Sequence, residues 1–119
     1  MNIETQISTL VVDDNTSVLN AVSMLLRDYG YLVTACKSAG EALAELQKKQ
    51  FDVVLTDIKM PGMSGIELLE NIRSANKDIP VILMTGYAEV EVAIKAIKKG
   101  PFDFIIKPYN PDYLVDSLK

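Results

Sequence analysis

The chain has 119 residues, of which 49% are hydrophobic and 24% charged, and this length and composition predict one globular domain with its own core. It contains no histidine, which excludes Ser-His-Asp and Cys-His catalysis, histidine-ligated zinc and a phosphohistidine carrier. The net charge of −4 offers no electrostatic footprint for nucleic acid, so we expect no direct nucleic-acid contact by this domain.

The chain opens with a predicted strand and helix. Residues 9–12 form a short apolar run that predicts a buried strand ending in Asp13-Asp14. Asn15 or Asp14 can cap the helix that follows, and Gly30 ends it. The apolar stripe of this helix comprises Val18, Val22, Leu25, Leu26 and Tyr29.

Two further strands flank the second predicted helix. Residues 32–36 form the second strand, and Ser38 with Glu41 three positions later predicts a capping box. The buried face of the second helix comprises Ala39, Ala42, Leu43 and Leu46. Residues 53–55 are apolar and residue 56 is a β-branched threonine, which is typical of a strand buried within a parallel sheet. This third strand ends at Asp57, directly before a Pro-Gly turn.

The second half of the chain continues the alternation. The capping pair Ser64 and Glu67 predicts the start of a third helix, whose buried face comprises Ile66, Leu69 and Ile72. A strand over residues 80–84 precedes a fourth helix, which is marked by Val90, Ala93, Ile94 and Ile97 and ended by Gly100-Pro101. A strand over residues 104–106 is followed by a fifth helix, which begins at Asn110-Pro111 and carries Leu114, Val115 and Leu118. Five alternations predict an α/β domain with a parallel sheet and helices on both faces. We expect one domain over residues 1–119. Because the last helix stops abruptly at Lys119, we expect it to be the N-terminal part of a longer protein.

Polar residues stand at the ends of four predicted strands: Asp13-Asp14, Asp57, Thr85 and Lys107. Each alone has an ordinary explanation as a helix cap, a turn residue or a surface lysine. The carboxyl ends of parallel strands share one edge, however, where ligands bind in open α/β sheets. Three carboxylates in one crevice repel one another, so either a cation offsets the repulsion or the carboxyl groups hold their protons more tightly. Oxygen ligands without histidine or thiolate suit Mg²⁺.

These residue types also fit one kind of chemistry. A carboxylate beside Mg²⁺ can act as a nucleophile and form an aspartyl phosphate. The metal and a lysine would neutralise charge that develops on the transferred phosphoryl group. A hydroxyl such as that of Thr85 could donate a hydrogen bond to a phosphoryl oxygen. The pattern therefore points to phosphoryl acceptance at Asp57.

The ordered set of motifs resembles the receiver domain of two-component response regulators. The matching residues, which span nearly the whole chain, are Val11-Val12-Asp13-Asp14, Asp57 with Met60-Pro61-Gly62-Met63-Ser64-Gly65, Thr85-Gly86 and Lys107-Pro108. The resemblance implies a flavodoxin-like (βα)5 fold with a five-stranded parallel sheet of order 2-1-3-4-5. The stretch from Met84 to Tyr109 is most similar to receivers of enhancer-binding transcription activators of the NtrC and DctD type. Pro101 departs from the pattern, since a small residue is commoner there, and it should stiffen the entry to the fifth strand.

The resemblance also implies a role for each site residue. Asp57 is the expected phosphoacceptor, and the expected metal ligands are Asp13, Asp14, Asp57 and the backbone carbonyl of Lys59. Thr85 and Lys107 are expected to contact the phosphoryl group. Phe104 is the aromatic residue whose ring is expected to rotate when Thr85 moves. Lys59 and Tyr87 match two positions that tune phosphoryl lifetime in the family. The Lys107–Pro108 peptide bond is expected to be cis.

The implied partners are a sensor histidine kinase, a regulated output domain with ATPase and DNA-binding parts, and a second copy that pairs through the fourth helix, fifth strand and fifth helix. The domain would not be an enzyme beyond assisting its own phosphorylation and dephosphorylation. A stand-alone receiver that acts by protein contact is the alternative.

Two other protein classes fit the sequence poorly. An aspartate-nucleophile phosphohydrolase places a second acid two positions after the nucleophile, where Lys59 stands here. A flavodoxin-like nucleotide or flavin binder needs a loop that cradles phosphate after the first strand, but Asp13-Asp14 would repel phosphate there.

The sequence also predicts a cellular compartment. No apolar run approaches the roughly 18 residues of a membrane span, and the N-terminus has no signal-peptide pattern. Cys36 is the single cysteine and cannot form an internal disulfide, which fits a reducing environment. We therefore expect a cytoplasmic protein with no membrane contact, in which Cys36 packs as a small hydrophobe.

Overall fold

A computed structural model describes residues 7–75, 78–85 and 103–106, and the side chains of residue 85 and residues 103–106 are outside this description. The elements in chain order are β1 (Ser8–Val12), α1 (Thr16–Asp28), β2 (Leu32–Cys36), α2 (Ala39–Lys48), β3 (Val53–Asp57), α3 (Gly65–Ser74), β4 (Val81–Thr85) and β5 (Asp103–Ile106). The five strands form one parallel sheet of order β2-β1-β3-β4-β5, which confirms the predicted order. The predicted helices that follow β4 and β5 lie outside the described residues.

The strand register brings the carboxyl ends of the central strands level with one another. Val12, the last residue of β1, pairs with Thr56 of β3. Asp57, the next residue of β3, pairs with Met84 of β4. Asp13 therefore leaves β1 at the level where Asp57 ends β3, and the two acidic residues stand beside each other at one edge of the sheet.

The sheet separates two apolar cores, as expected for helices on both faces. One core packs α2 and α3 against alternate residues of β1, β3 and β4, including Leu10, Val54 and Leu83. The other packs α1 against the opposite side chains, including Val11 and Leu55. The strands β1 and β3 are buried on both faces, which explains why their sequences are continuous apolar runs and not alternating ones.

The start of α1 agrees with the sequence prediction, but its apolar stripe does not agree completely. Asn15 is the N-cap, and its side-chain oxygen accepts a hydrogen bond of 3.1 Å from the N–H of Val18. Tyr29 was predicted to be buried, yet it is 53% exposed because it is the C-cap, where the chain leaves the helix before Gly30. Leu19, which the prediction omitted, is buried instead.

The two predicted capping boxes differ. In α3 the box is complete, since Ser64 and Glu67 each accept a hydrogen bond of 3.1 Å from the backbone N–H of the other. In α2 the Ser38 hydroxyl accepts from the N–H of Glu41, but the Glu41 carboxylate accepts from the N–H of Lys37 and not from that of Ser38. The reciprocal half of the box is therefore displaced by one residue.

No helix in the described part of the chain has the length and apolar character needed to cross a bilayer.

Candidate metal centre at the carboxyl edge of the sheet

Three carboxylates meet at the carboxyl edge of the sheet. One oxygen from each of Asp13, Asp14 and Asp57 lies within 4.8 Å of the others. Asp13 is buried, Asp57 is half-buried and Asp14 is exposed, so the cluster runs from the protein interior to solvent. The predicted meeting of the three carboxylates is therefore present in the structure, whereas the side chains of Thr85 and Lys107 lie outside the description.

Asp13 is fixed from both its backbone and its side chain. Its N–H donates a hydrogen bond of 3.1 Å to the carbonyl of Cys36, which continues the pairing of β1 with β2 beyond the strand. Its Oδ1 accepts a bond of 2.9 Å from the N–H of Asn15. Asn15 in turn caps α1, so the turn that carries Asp13 and Asp14 is tied to the first helix.

Asp57 is held by the turn that follows it. Its Oδ1 accepts a hydrogen bond of 2.9 Å from the N–H of Ile58. Its backbone carbonyl accepts a bond of 2.9 Å from the hydroxyl of Thr56. The carbonyl of Ile58 accepts a bond of 2.8 Å from the N–H of Gly65, the first residue of α3. The acidic side chain is thus connected to the start of a helix through its own turn.

The other predicted site residues are described less fully. Lys59 is exposed two residues after Asp57. The role of its backbone carbonyl as a metal ligand stays a prediction. Thr85 is the last residue of β4 and pairs through its backbone with Ile106 of β5, so its main chain lies at the same edge of the sheet. Phe104 lies within β5. Its side chain and that of Thr85 are outside the description.

Three predicted residues are not located by the structure. Tyr87, Lys107 and Pro108 lie outside the described residues. Their roles, and the cis form of the Lys107–Pro108 bond, stay predictions.

Sequence reasoning missed two residues that support the site, Thr56 and Gly65. The hint for Thr56 was its hydroxyl within an otherwise apolar run, directly before the acidic residue. Gly65 was noticed only as part of a motif. A Cβ at this position would overlap the carbonyl oxygen of Asp57 and lie 3.0 Å from the Cα of Ile58, so only glycine fits without a shift of the backbone.

The donor set of the cluster fits a hard divalent cation. All three side chains supply carboxylate oxygens, which Mg²⁺ prefers. Two oxygens on opposite sides of one Mg²⁺ are about 4.2 Å apart, since each Mg–O distance is about 2.1 Å. A cluster whose oxygens lie within 4.8 Å of one another can therefore supply direct ligands, or one ligand through a water molecule.

Cys36 lies at the end of β2, near this edge, but has no place in the chemistry of the site. It is 2% exposed and packs in the core formed with α2 and α3, as predicted. Burial, with smaller contributions from the negative charges of Glu41 and Glu45, raises the pKa of its thiol from 9.0 to about 11. The thiol is therefore protonated and unreactive near neutral pH.

Known proteins share both the sequence and the fold of this chain. The sequence matches the response regulator receiver domain family over residues 9–119. It is 41% identical to the transcriptional regulatory protein ZraR of Salmonella typhimurium over 96% of this chain and 26% of that protein. It is 38% identical to the C4-dicarboxylate transport transcriptional regulatory protein DctD of Rhizobium meliloti over 94% of this chain and 24% of that protein.

A solved structure shows the same likeness in three dimensions. The crystal structure of the chemotaxis protein CheY4 of Vibrio cholerae superposes with a TM-score of 0.89 at 34% identity, covering 96% of this chain and 97% of that one. The chain thus spans about a quarter of the length of the two transcriptional regulators and nearly all of the chemotaxis protein. The family match and the shared fold show that this chain belongs to the response regulator receiver domains of two-component systems, and that its relatives include transcriptional regulators of the NtrC type.

Proposed function

We propose that this domain accepts a phosphoryl group on Asp57 and that Asp13, Asp14 and Asp57, together with the backbone carbonyl of Lys59, hold Mg²⁺ for the reaction. The observation that carries the proposal is the meeting of three carboxylates at the end of the central strands. When bound, Mg²⁺ would supply positive charge that offsets the mutual repulsion of the carboxylates and the negative charge of the incoming phosphoryl group.

The phosphoryl transfer is a single displacement at phosphorus. A carboxylate oxygen of Asp57 forms a bond to phosphorus while the bond from phosphorus to the nitrogen of a phosphohistidine breaks. That nitrogen belongs to the sensor histidine kinase and leaves with the bonding electron pair. With acetyl phosphate as donor, the bond that breaks joins phosphorus to the acetyl oxygen, and acetate leaves. In both cases the product is an aspartyl phosphate on Asp57.

Residues at the neighbouring strand ends would complete the site. Thr85 would donate its hydroxyl to a phosphoryl oxygen, and Lys107 would pair with the phosphoryl charge. Phe104 would turn as Thr85 moves inward. The position of the Thr85 main chain at the same edge as Asp57 supports this arrangement. Lys59 and Tyr87 would tune how long the phosphoryl group persists.

Phosphorylation would then act as a switch for a partner. It adds about −1.5 to −2 charge and three acceptor oxygens at the edge of the sheet, which changes the balance between two conformations. The output would be transcription, through ATPase and DNA-binding domains beyond residues 1–119. Two copies would pair through the fourth helix, fifth strand and fifth helix. The likeness to two transcriptional regulators supports this output. We place the domain in the cytoplasm, where the free thiol of Cys36 stays reduced.

A stand-alone receiver that acts by protein contact is the second candidate. Its support is the near-complete overlap with the chemotaxis protein CheY4, whose chain this one covers to 97%. The mass of the native protein, detected with an antibody in cells that produce it, separates the two. A band several times heavier than 13.1 kDa favours the transcriptional regulator, and a band at that mass favours the stand-alone module.

Intact-mass measurement tests the phosphoacceptor role. The wild-type chain, Asp57→Asn and Asp78→Asn are incubated with Mg²⁺ and acetyl phosphate. Asp78 is an exposed aspartate that precedes β4, at the opposite edge of the sheet, and serves as the matched control. We expect one phosphoryl group on the wild type and on Asp78→Asn, and none on Asp57→Asn. A phosphorylated Asp57→Asn variant would contradict the assignment, as would a wild type that gains no phosphoryl group from acetyl phosphate or from its kinase.

A further inference from the structure

The peptide unit between Asp57 and Ile58 is restrained at both of its polar groups. Its carbonyl oxygen accepts the hydroxyl hydrogen bond from Thr56 at 2.9 Å. Its N–H, which belongs to Ile58, donates to Oδ1 of Asp57 at 2.9 Å. The two groups lie in one rigid plane because the peptide bond does not rotate freely. A contact that fixes the direction of the carbonyl therefore also fixes the direction of the N–H.

The start of α3 restrains the same unit from a second side. The N–H of Gly65 donates at 2.8 Å to the carbonyl of Ile58, which belongs to the next peptide unit. A Cβ on Gly65 would overlap the carbonyl oxygen of Asp57 and lie 3.0 Å from its carbonyl carbon. The helix thus begins in direct contact with the peptide plane, and the complete capping box of α3 holds that helix end in place.

Burial alone does not account for the hydroxyl of Thr56. Thr56 and Thr9 are both 0% exposed within central strands. The hydroxyl of Thr9 has no hydrogen-bond partner among the described residues, whereas that of Thr56 donates to the carbonyl of the acidic residue next to it. Valine has nearly the same shape as threonine, so packing does not require the hydroxyl at either position. The Thr56 hydroxyl instead donates to the Asp57 carbonyl, whose peptide unit also carries the N–H that binds the Asp57 carboxylate.

We propose that Thr56 is a positioning residue for phosphoryl acceptance: its hydroxyl sets the plane of the Asp57–Ile58 peptide, whose N–H holds Oδ1 and so directs the carboxylate. The inference rests on the proposed role of Asp57 as the phosphoacceptor. Thr56 is 0% exposed, so it would contact neither donor nor metal and would act only through the peptide plane. A carboxylate that is already directed loses less orientational freedom when it attacks phosphorus, which raises the rate of the step.

Three variants test this role: Thr56→Val, Thr56→Ser and the control Thr9→Val. The assay measures the rate of phosphorylation by acetyl phosphate at saturating Mg²⁺. Removal of one net hydrogen bond predicts a rate about threefold to tenfold lower in Thr56→Val. Thr56→Ser keeps the hydroxyl and should react at nearly the wild-type rate, and so should Thr9→Val. Equal rates for Thr56→Val and the wild type, or equal losses in Thr56→Val and Thr56→Ser, would overturn the inference.

A second measurement does not depend on phosphorylation. The amide resonance of Ile58 reports its hydrogen bond to Oδ1, so it should move in Thr56→Val and stay in place in Thr56→Ser and Thr9→Val. An unmoved Ile58 resonance in a folded Thr56→Val chain would overturn the positioning role. If the resonance moves as expected but the wild type accepts no phosphoryl group, the hydrogen-bond relay stands and the proposed function of Asp57 fails.

If Thr56→Val does not fold, Gly65→Ala provides a second way to displace the Asp57–Ile58 peptide unit. An alanine at position 65 must push the Asp57–Ile58 peptide unit away from α3, because the atoms that its Cβ would meet are all backbone atoms. The control is Gly40→Ala in the first turn of α2, where a Cβ meets only the Ser38 hydroxyl at 3.9 Å. We expect a displaced Ile58 resonance and slower phosphorylation in Gly65→Ala but not in Gly40→Ala. An undisplaced resonance in Gly65→Ala would contradict the contact between helix and peptide plane.

Discussion

The substitution Asp14→Asn offers a direct test of repulsion within the acidic cluster. Asp14 is the exposed member of the cluster, so its replacement disturbs no packing and removes only a charge. In the absence of metal, the change relieves repulsion with both Asp13 and Asp57. We therefore expect the variant to be more stable than the wild type in metal-free buffer, contrary to the usual effect of substitution at a functional site.

The size of the effect follows from the separation of the charges. Two unit charges 4.8 Å apart repel by about 0.9 kcal/mol at the dielectric constant of water. Asp14 takes part in two such pairs, so the gain should be about 1–2 kcal/mol at low salt and roughly half as large at physiological ionic strength. For a chain of 119 residues, each kcal/mol raises the melting temperature by about 3–5 °C.

Magnesium should reduce this advantage. A cation that binds the folded chain at ten times its dissociation constant stabilises it by about 1.4 kcal/mol. The wild type should gain this amount, and Asp14→Asn should gain less because it lacks one of the proposed carboxylate ligands. The melting temperatures of the two proteins should therefore approach each other or change order as Mg²⁺ is added.

Thermal unfolding with and without Mg²⁺ checks these expectations, with Asp78→Asn as the control for loss of one negative charge at the opposite edge of the sheet. If Asp14→Asn shifts the melting temperature no more than Asp78→Asn in metal-free buffer, the carboxylates do not repel as calculated. If Mg²⁺ stabilises Asp14→Asn as much as the wild type, the metal binds elsewhere. A gain in Asp14→Asn that does not shrink with added salt would also count against an electrostatic origin.

Three further predictions concern single side chains. The raised pKa keeps the Cys36 thiol protonated in the folded chain while the unfolded chain loses that proton. Wild-type stability should therefore fall by roughly 2 kcal/mol relative to Cys36→Ala as the pH rises from 9.0 to about 11. Denaturant unfolding at several pH values measures this, and parallel pH profiles would refute it. Tyr87→Ala should shorten the lifetime of the aspartyl phosphate by admitting water, and an unchanged decay rate measured by intact mass would contradict the shielding. Ser64→Ala should lower the free energy of unfolding by about 1 kcal/mol through loss of the α3 cap, whereas Ser74→Ala at the exposed end of the same helix should change it little.

The buried strands could be predicted because their sequences have one physical explanation. A run such as Val53-Val54-Leu55, apolar at consecutive positions, fits a strand covered on both faces, and the structure buries these residues. The meeting of Asp13 with Asp57 followed from the shared direction of parallel strands. The strand order itself came from the resemblance to receiver domains, since local sequence does not specify which strands are neighbours.

Other features could not be predicted because they depend on contacts distant in sequence or on geometry at the ends of elements. Tyr29 has the spacing of a buried position, but the helix ends one residue before it and the ring turns to solvent. Glu41 has the spacing of a reciprocal cap, but its carboxylate accepts from Lys37 instead. Glycine is needed at position 65 because α3 begins against the Asp57 carbonyl, a contact that local sequence does not reveal.

The rigidity of β1 and β3 explains how the acidic residues can stay close together despite their mutual repulsion. Asp13 extends the ladder between β1 and β2 through its N–H, and Asp57 is the last paired residue of β3. The residues before them, Val12 and Thr56, are 0% exposed, so neither backbone can move apart without loss of packing. The backbones of Asp13 and Asp57 therefore hold these two carboxylates close together, and a bound cation would offset their repulsion. Little of the free energy of cation binding would then be lost to reorganisation, since the backbones of these two proposed ligands are already in place.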